Sequence, residues 1–321
     1  MLNEILNTEG MTFTTHAEAE GPIAEACAKH PEIARFEHIG HSEAGRPLYA
    51  AMIGKGPRHV SLVAGAHADE PVGPEVLRLL CVGLIEHREA LAELLERVTF
   101  IIVPHVNPDG EAANQPWIER WPDPLAFAEH AVRERPGRDI EFGYPEMRPE
   151  NQAVAVLLRQ WGPIDLHFSL HGMAVGEGAW LLIDRHWRDR TADLKQRWVE
   201  AVQAEGLGLL DWDRQGEKGF EYLGPGFSTT PRGEAMRARF EALGDAETAK
   251  LFHDSSMEFV RKLGGDPLCL VTELPLFVGP AGATRRDTRQ PNQPLHALPL
   301  PIAAKLQLRL IELGLQAVGL Q

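Results

Sequence analysis

The sequence of 321 residues contains few cysteines, namely Cys27, Cys81 and Cys269. An odd and widely spaced set of thiols argues against a disulfide framework and against a zinc site built from cysteine. We expect three buried thiols in a reducing compartment, and therefore a cytoplasmic protein. The first ten residues carry two glutamates and no lysine or arginine, which does not match the basic and then apolar pattern of a secretion signal.

The sequence also lacks an excess of basic charge and a long apolar run. Its 32 Lys and Arg residues against 46 Asp and Glu residues give a net charge of -14. This balance argues against a nucleic-acid partner, because phosphate binding requires a basic face. No apolar run approaches the roughly 18 residues of a membrane helix, so we expect no membrane partner. Hydrophobic residues at 44% and charged residues at 24% are typical of a globular protein that buries a full core.

Residues 60–72 are the most informative part of the chain. An apolar run that ends at Ala64 predicts a buried strand, and a long helical pattern begins shortly after it. His67 and Glu70 lie between the two, at the carboxyl edge of a strand, where open α/β sheets bind ligands. With 14 histidines and 46 acidic residues, such a pair also arises by chance. A surface ion pair at the start of a helix is therefore an alternative of equal weight.

Predicted strands alternate with predicted helices, which indicates an α/β layered sheet. We expect a single domain over residues 1–321, with residues 1–20 loosely held. Several strands are followed by polar residues that can do chemistry: His67, Glu70, Asn107, His171 and Glu273. If these strands run parallel, all these residues lie at one edge of the sheet.

Two histidines and one glutamate would form a three-ligand site with one position open to water, which is the arrangement of a catalytic zinc site. We expect His67, Glu70 and His171 to hold one zinc ion per chain. Glu273 is then the candidate general base. His171 is preferred as the third ligand because it follows a strand and precedes a glycine. The histidines that compete with it are His105, His167, His186 and His253.

Five short motifs, in this order, resemble those of the zinc carboxypeptidases. They are residues 40–47 (GHSEAGRP), 64–70 (AGAHADE), 107–110 (NPDG), 169–172 (SLHG) and 272–274 (TEL). The resemblance covers about residues 39–277. It implies a three-layer α/β/α fold with a mixed, largely parallel sheet of about eight strands. It also implies a zinc-dependent peptidase or amidase that acts on a small peptide or amide.

The chain departs from that family where the family usually places an Asn and an Arg that hold the terminal carboxylate of the substrate. Within residues 137–142, Glu141 and Phe142 stand at those two positions. The resemblance implies that the substrate contacts Asn107, Arg138, Glu141 and Phe142. It also makes Arg120 the candidate for stabilising the oxyanion. Because Glu141 would repel a carboxylate, we expect the substrate to carry an amine or a neutral group there.

Two other functions stay open at this point. One is a zinc deacylase of the aspartoacylase and desuccinylase kind, which shares the ligand pattern on a related fold. The other is a metal-bearing binding domain without turnover. The motifs at residues 40–47 and 107–110 favour the peptidase over the deacylase. Retention of Glu273 argues against the domain without turnover.

Overall fold

The structure, a computed structural model, describes residues 2–289 and 294–321. Met1 and residues 290–293 of the predicted domain lie outside the described residues. The described strands form one sheet of eleven strands. They are β1 (Ala34–His41), β2 (Pro47–Gly54), β3 (Arg58–Ala64), β4 (Val98–Val103), β5 (Leu166–Gly176), β6 (Gly178–Ile183), β7 (Gly208–Leu209), β8 (Tyr222–Gly224), β9 (Phe227–Thr229), β10 (Leu268–Val278) and β11 (His296–Ala297).

Helices connect and cover these strands. They are α1 (Leu2–Ile5), α2 (His16–Lys29), α3 (Val72–Glu86), α4 (Ala92–Arg97), α5 (Pro108–Ile118), α6 (Pro124–His130), α7 (Pro149–Trp161), α8 (Ala192–Ala204), α9 (Gly233–Ala242), α10 (Ala246–Ala249), α11 (Ser256–Lys262) and α12 (Leu300–Ala317). Within the described part of the chain, no helix is both long and apolar enough to cross a membrane.

The strands follow the order β1-β2-β4-β3-β5-β10-β6-β9-β8, and β11 and β7 pair with β10 and β6. The centre of the sheet is parallel, because β3 pairs with β4 and β5 in parallel and β5 pairs with β10 in the same sense. The pairs β1–β2, β2–β4, β6–β10 and β8–β9 are antiparallel. The predicted mixed α/β sheet is therefore confirmed. It has more strands than expected because β7, β8, β9 and β11, of two or three residues each, extend it.

The two faces of the central strands differ in chemistry, because successive side chains of a strand point to opposite faces. In β5 the even-numbered residues from Leu166 to Leu170 are apolar and belong to the larger core cluster, together with α3 and α12. The odd-numbered residues His167, Ser169 and His171 are also buried, and they face the opposite side, where α11 packs. A polar row thus runs along one face of an otherwise apolar strand.

The two strands that carry His171 and Glu273 continue past their predicted ends. The polar residues at these positions suggested strand ends after Leu170 and Val271, but the ladder between β5 and β10 continues to the pair Gly176 and Val278. His171 and Glu273 consequently lie within strands. Their backbones are held by the sheet, which fixes both side chains more rigidly than a loop would.

The N-terminal segment packs against the rest of the domain, which corrects the expectation that residues 1–20 are loosely held. Leu2 and Leu6 are buried. Leu6 lies so close to α3 that a Cβ atom on Gly83 would be only 2.1 Å from the Cδ2 atom of Leu6. The backbone amide of Thr14 donates to Oε1 of Glu75 at 2.8 Å. These buried contacts, which the polar composition of the segment does not reveal, hold residues 2–20 in place.

Candidate active site

The side chains of His67, Glu70 and His171 converge on one point. The Nδ1 atom of His67 lies 2.8 Å from Oε1 of Glu70, and the Nδ1 atom of His171 lies 2.9 Å from Oε2 of the same carboxylate. The two Nδ1 atoms are 3.0 Å apart. Each of the three residues offers one possible ligand atom, and these atoms all lie within 4.8 Å of one another. The structure thus brings together the three residues predicted as metal ligands.

A sharp turn after β3 presents His67 and Glu70 to the neighbouring strand. Gly65 has a φ of 75°, and a Cβ at this position would lie 2.5 Å from the ring of His105. Only glycine accommodates both the left-handed backbone and the close ring. The amide of Glu70 then donates to the carbonyl oxygen of His67 at 3.3 Å, and α3 begins two residues later. The turn therefore places both side chains opposite His171.

The sheet places Glu273 beside His171. The two residues are register partners in the parallel pair β5 and β10. They project from the same face of strands about 4.8 Å apart. The Oγ1 atom of Thr272 accepts from the amide of His171 at 3.2 Å and donates to its carbonyl oxygen at 3.1 Å. Gln307 of α12 donates to the same Oγ1 atom at 3.0 Å, so the backbone that carries both groups is held from the opposite face.

The donor atoms of the cluster fit a divalent cation. The Nε2 atom of His171 lies 2.9 Å from Oε2 of Glu141, so a neutral ring carries its proton on Nε2. Its Nδ1 atom then directs a lone pair toward a carboxylate oxygen of Glu70 and toward Nδ1 of His67. Such facing lone pairs repel one another unless a proton or a cation lies between them. Two histidines and one glutamate with an open side are the ligand set of catalytic zinc sites.

The same contacts shift the pKa values of the metal-free cluster. Burial would lower the pKa of His171, but the charge of Glu70 and the hydrogen bonds to Glu141 and Glu70 raise it well above its ordinary value. Burial would raise the pKa of Glu70, but the positive groups around it hold that pKa well below its usual range. Burial and the charge of Glu70 raise the pKa of Glu273 to about 8. Without a metal, the cluster therefore retains protons that a cation would displace.

Glu141 lines the second of the two cavities described below and also supports the cluster from behind His171. Its carboxylate is only 4% exposed. Besides His171 Nε2, the carboxylate accepts from the Ser169 hydroxyl at 3.2 Å and from the Ser256 hydroxyl at 3.4 Å. A carboxylate that holds the second nitrogen of a metal-binding histidine fixes the tautomer and the orientation of the ring. Glu141 is therefore positioned to tune the cluster.

The hydrogen bonds continue from Glu141 into the core. Ser256 lies 3.1 Å from Nε2 of His167, and Nδ1 of His167 lies 2.7 Å from the hydroxyl of Ser61 on β3. Burial lowers the pKa of His167 to about 4, although the charge of Glu141 opposes this shift. The neutral His167 ring thus links two hydroxyl groups and keeps Ser256 against Glu141. This bonding pattern agrees with the expectation that His167 is a satisfied core residue.

Arg133 is the arginine that lies at the cluster. Its Nη1 atom donates to Oε1 of Glu70 at 2.9 Å and to Oδ1 of Asp69 at 3.0 Å. The other oxygen of Asp69 accepts from Nη1 of Arg285 at 2.7 Å. Arg133 also lines both cavities described below. Its guanidinium group is therefore close enough to Glu273 for the two charges to affect each other.

Two adjoining cavities meet at Glu273. The first has a volume of about 630 Å³, and its walls include Glu70, residues 172–177 and Trp212. The second has a volume of about 490 Å³, and its walls include His67 and His171. Glu273, Arg133, Trp180 and Arg214 line both. A substrate that extends from one cavity to the other would therefore pass the histidine and glutamate cluster and the Glu273 carboxyl group.

Comparison with known proteins agrees with this geometry. Residues 22–176 match the family model described as zinc carboxypeptidase. The match spans 155 of the 321 residues, just under half of the chain, and supports a relationship to the zinc carboxypeptidases over that part. Carboxypeptidase E of Caenorhabditis elegans is 31% identical over 124 residues, which make up 33% of this chain and 26% of that protein. The chain thus matches about a quarter of the length of this relative.

Solved carboxypeptidase structures share the fold. Carboxypeptidase A from Helicoverpa armigera aligns over 95% of this chain and 73% of its own, with a TM-score of 0.58 at 12% identity. A metallo-carboxypeptidase from Pseudomonas aeruginosa aligns over 92% of this chain and 67% of its own, with a TM-score of 0.51 at 19% identity. At these identities the likeness concerns the fold alone.

The two arginines predicted for the site, Arg120 and Arg138, lie at the protein surface. Arg120 is 49% exposed in its side chain and donates to Oδ2 of Asp123 at 3.0 Å. Arg138 pairs with both carboxylate oxygens of Glu43, at 2.6 and 2.8 Å. Each guanidinium group is satisfied by a neighbouring surface carboxylate. Of these three arginines, it is Arg133 whose guanidinium group lies at the cluster.

The remaining predicted substrate contacts divide into one structural residue and one wall residue. Asn107 is fully buried. Its Oδ1 atom accepts from the amide of Gly110 at 3.0 Å at the start of α5, and its Nδ2 atom donates to Glu134. Asn107 thus caps a helix, which corrects its predicted role. Phe142 does line the second cavity, where it provides an apolar wall.

Sequence reasoning missed Arg133, Asp69 and Ser256. Arg133 is one of several arginines in a long irregular segment, and no periodicity distinguishes it from its neighbours. Ser256 is the first residue of α11 and reaches the site only because α11 packs across β5. Asp69 had a usable signal, since it lies within the motif at residues 64–70. It could have been proposed as a partner for an arginine.

Proposed function

We propose that this protein, which resembles the zinc carboxypeptidases, is a zinc-dependent hydrolase that cleaves a peptide-like amide bond. The observation that carries the proposal is the placement of Glu273. It is the register partner of His171 and lines both cavities together with the ligand cluster. A carboxyl group next to a three-ligand site with an open position is what metal-assisted hydrolysis of an amide requires.

In this proposal, His67, Glu70 and His171 hold the zinc ion. A bound zinc ion would polarise the carbonyl group of the substrate and make a water molecule more acidic. The carboxylate of Glu273 takes the proton from the attacking water and later gives it to the leaving nitrogen. Burial raises the pKa of the Glu273 carboxyl group, which makes its carboxylate a stronger base toward the attacking water.

Arg133 is the candidate for stabilising the negative charge that develops on the carbonyl oxygen. Its guanidinium group has five donors, and only Nη1 is engaged by Asp69 and Glu70. The remaining donors are available to a substrate in the adjoining cavities. A guanidinium donor in a partly desolvated cavity stabilises an oxyanion far better than it would in water.

The zinc deacylase alternative has the same ligand pattern, but the family model that matches is that of the carboxypeptidases. The alternative of a binding domain without turnover is tested by the hydrolysis assay described below.

The ligand assignment is tested by elemental analysis. We expect about one zinc per chain, and we expect its loss in His171→Ala. Full zinc retention in that variant would contradict the assignment of the ligands.

The decisive measurement is peptide hydrolysis by the zinc-loaded protein, followed by mass spectrometry of the products. Glu273→Gln should keep its zinc and lose turnover by about 10²- to 10⁴-fold, the usual contribution of a general base. Glu43→Gln removes a carboxylate from the surface pair with Arg138 and serves as the matched control. If zinc-loaded wild-type protein cleaves no amide, or if Glu273→Gln turns over at the wild-type rate, the proposal fails.

A further inference from the structure

One cation of the second cavity is not balanced by a neighbour. Lys218 lines this cavity together with His67, His171 and Glu273. No hydrogen bond or ion pair of its ammonium group is found among residues 2–289 and 294–321. Burial lowers the pKa of Lys218, and the charge of Arg214 lowers it further, while Glu217 opposes both effects. A cation held in this way is destabilised unless an anion joins it.

Most of the other charged groups around the second cavity are hydrogen-bonded to protein neighbours. Arg214 donates to Oε2 of Glu217 at 2.9 Å through Nε, and Arg239 donates to the other oxygen of the same carboxylate. Asp139 accepts from the amide of Phe142 at 3.2 Å. Glu134 accepts from the side chain of Asn107, and Glu141 is bonded to His171. Arg133 also lines this cavity and keeps free donors, but it is paired with Asp69 and Glu70, whereas Lys218 has no partner among the described residues.

The backbone holds Lys218 in an uncommon conformation. Its φ of 57° lies in the left-handed region, and the glycines on either side of the turn, Gly216 and Gly219, have φ values of 78° and 80°. A lysine disfavours this region, and such exceptions concentrate at sites that bind ligands. The ion pair of Arg214 with Glu217, in the same turn, helps to hold the conformation.

Part of the cavity wall is apolar. The residues that provide this surface are Phe142, Phe220, Met236, Phe240, Met257 and Val271. A ligand that fits must therefore combine an apolar body with one negative group. The expectation of an amine at this end rested on Glu141, whose carboxylate is instead committed to His171 and buried. Glu141 lines the cavity, but His171 and two serine hydroxyl groups already partner its charge.

We propose that Lys218 is the residue that recognises the substrate carboxylate, on an apolar residue directly beyond the cleaved bond. The inference rests on the proposed function for the position of that bond. Lys218 supplies the charge from a turn before β8, because Phe142 has no donor at the position where an arginine was expected. The ammonium group pairs with the carboxylate, and the apolar walls receive the side chain of the same residue.

Calorimetric titration of the zinc-loaded protein with 3-phenylpropionate and with its amide tests whether Lys218 recognises a carboxylate. This measurement requires no turnover. Wild-type protein should bind the acid more tightly than the amide. Lys218→Met should weaken binding of the acid by about 10- to 100-fold, the value of a hydrogen bond between charged groups, and leave the amide unchanged. Lys250→Met, a surface lysine paired with Glu247, is the control. Equal binding of the acid by wild type and Lys218→Met overturns the proposal.

A hydrolysis assay then shows whether Lys218 recognises the terminal carboxylate or a side-chain carboxylate of the substrate. It compares three acylated dipeptides. The first ends in phenylalanine with a free carboxylate, the second in phenylalanine amide, and the third in glutamate whose main-chain carboxylate is amidated. We expect the first to be preferred, and we expect Lys218→Met to raise its KM and remove the preference. If the glutamate peptide is preferred, the proposal that Lys218 recognises the terminal carboxylate is wrong. If no peptide is cleaved, the proposed function fails, while the calorimetry still decides the role of Lys218. Unchanged zinc content and melting temperature exclude misfolding of the variant.

Discussion

Replacement of Glu141 by glutamine tests whether a buried carboxylate behind His171 sets the zinc affinity. The variant keeps the size of the side chain and its contacts with Ser169 and Ser256, but it removes the negative charge 2.9 Å from Nε2 of His171. A hydrogen bond to a charged group contributes about 1.5 to 3 kcal/mol, and Glu141 is too buried for solvent to screen it. Loss of such an outer carboxylate typically weakens metal binding by about 10- to 100-fold. We expect the zinc Kd to rise by that factor.

The assay is competition with a chromophoric chelator across a range of pH. Below its raised pKa, His171 of the metal-free protein carries an extra proton, and Glu141 stabilises that form as well. The Glu141→Gln substitution therefore weakens the binding of both the proton and zinc to His171. At low pH, where zinc must displace that proton, the two effects partly cancel. The loss of zinc affinity should consequently be smaller at low pH and grow as the pH rises. Glu150→Gln is the matched control, because Glu150 is equally buried but pairs with Arg148 at 2.6 Å. A Glu141→Gln variant with wild-type zinc affinity at alkaline pH would refute the reasoning.

Two further predictions concern the arginine of the site and the N-terminal segment. Arg133→Met should lower kcat by about 10²- to 10³-fold, the effect of removing one oxyanion donor, whereas Arg120→Met should leave kcat unchanged. Steady-state kinetics of both variants decide between the two arginines. Equal activities of the two variants would exclude Arg133 as the oxyanion donor. Leu6→Ala should lower the free energy of unfolding by about 2 to 5 kcal/mol because it leaves a cavity against α3. Urea denaturation measures this loss, and a change no larger than that of the exposed substitution Leu243→Ala would show that residues 2–20 contribute little.

The sequence was informative where local pattern and chemistry coincide. The turn after β3 needs a glycine at position 65, and the apolar run before it needs a strand, so His67 and Glu70 could be placed from the sequence. The ligand His171 and the base Glu273 could also be proposed, because each follows a run of apolar residues. The expected strand ends were wrong, since a polar residue on one face of a strand does not interrupt the ladder of backbone hydrogen bonds.

The sequence was less informative where a role depends on packing between distant segments. Arg133 and Arg120 belong to the same irregular stretch, and only the fold shows that the first reaches Glu70 and the second reaches the surface. Lys218 comes from a turn between β7 and β8 that has no regular period. No local rule brings that turn to the cavity of His171.

The contrast between Glu141 and Lys218 shows why motif position alone misjudged the substrate pocket. Glu141 stands where the family usually has an asparagine, and that alignment placed a negative charge against the substrate. In the fold, the polar row of β5 offers the carboxylate a closer partner, the Nε2 atom of His171, so Glu141 lines the cavity with its charge already partnered. Lys218 is a cation of this cavity for which the described residues offer no partner. In the inference proposed above, its ammonium group pairs with the substrate anion, although Phe142 stands where an arginine was expected.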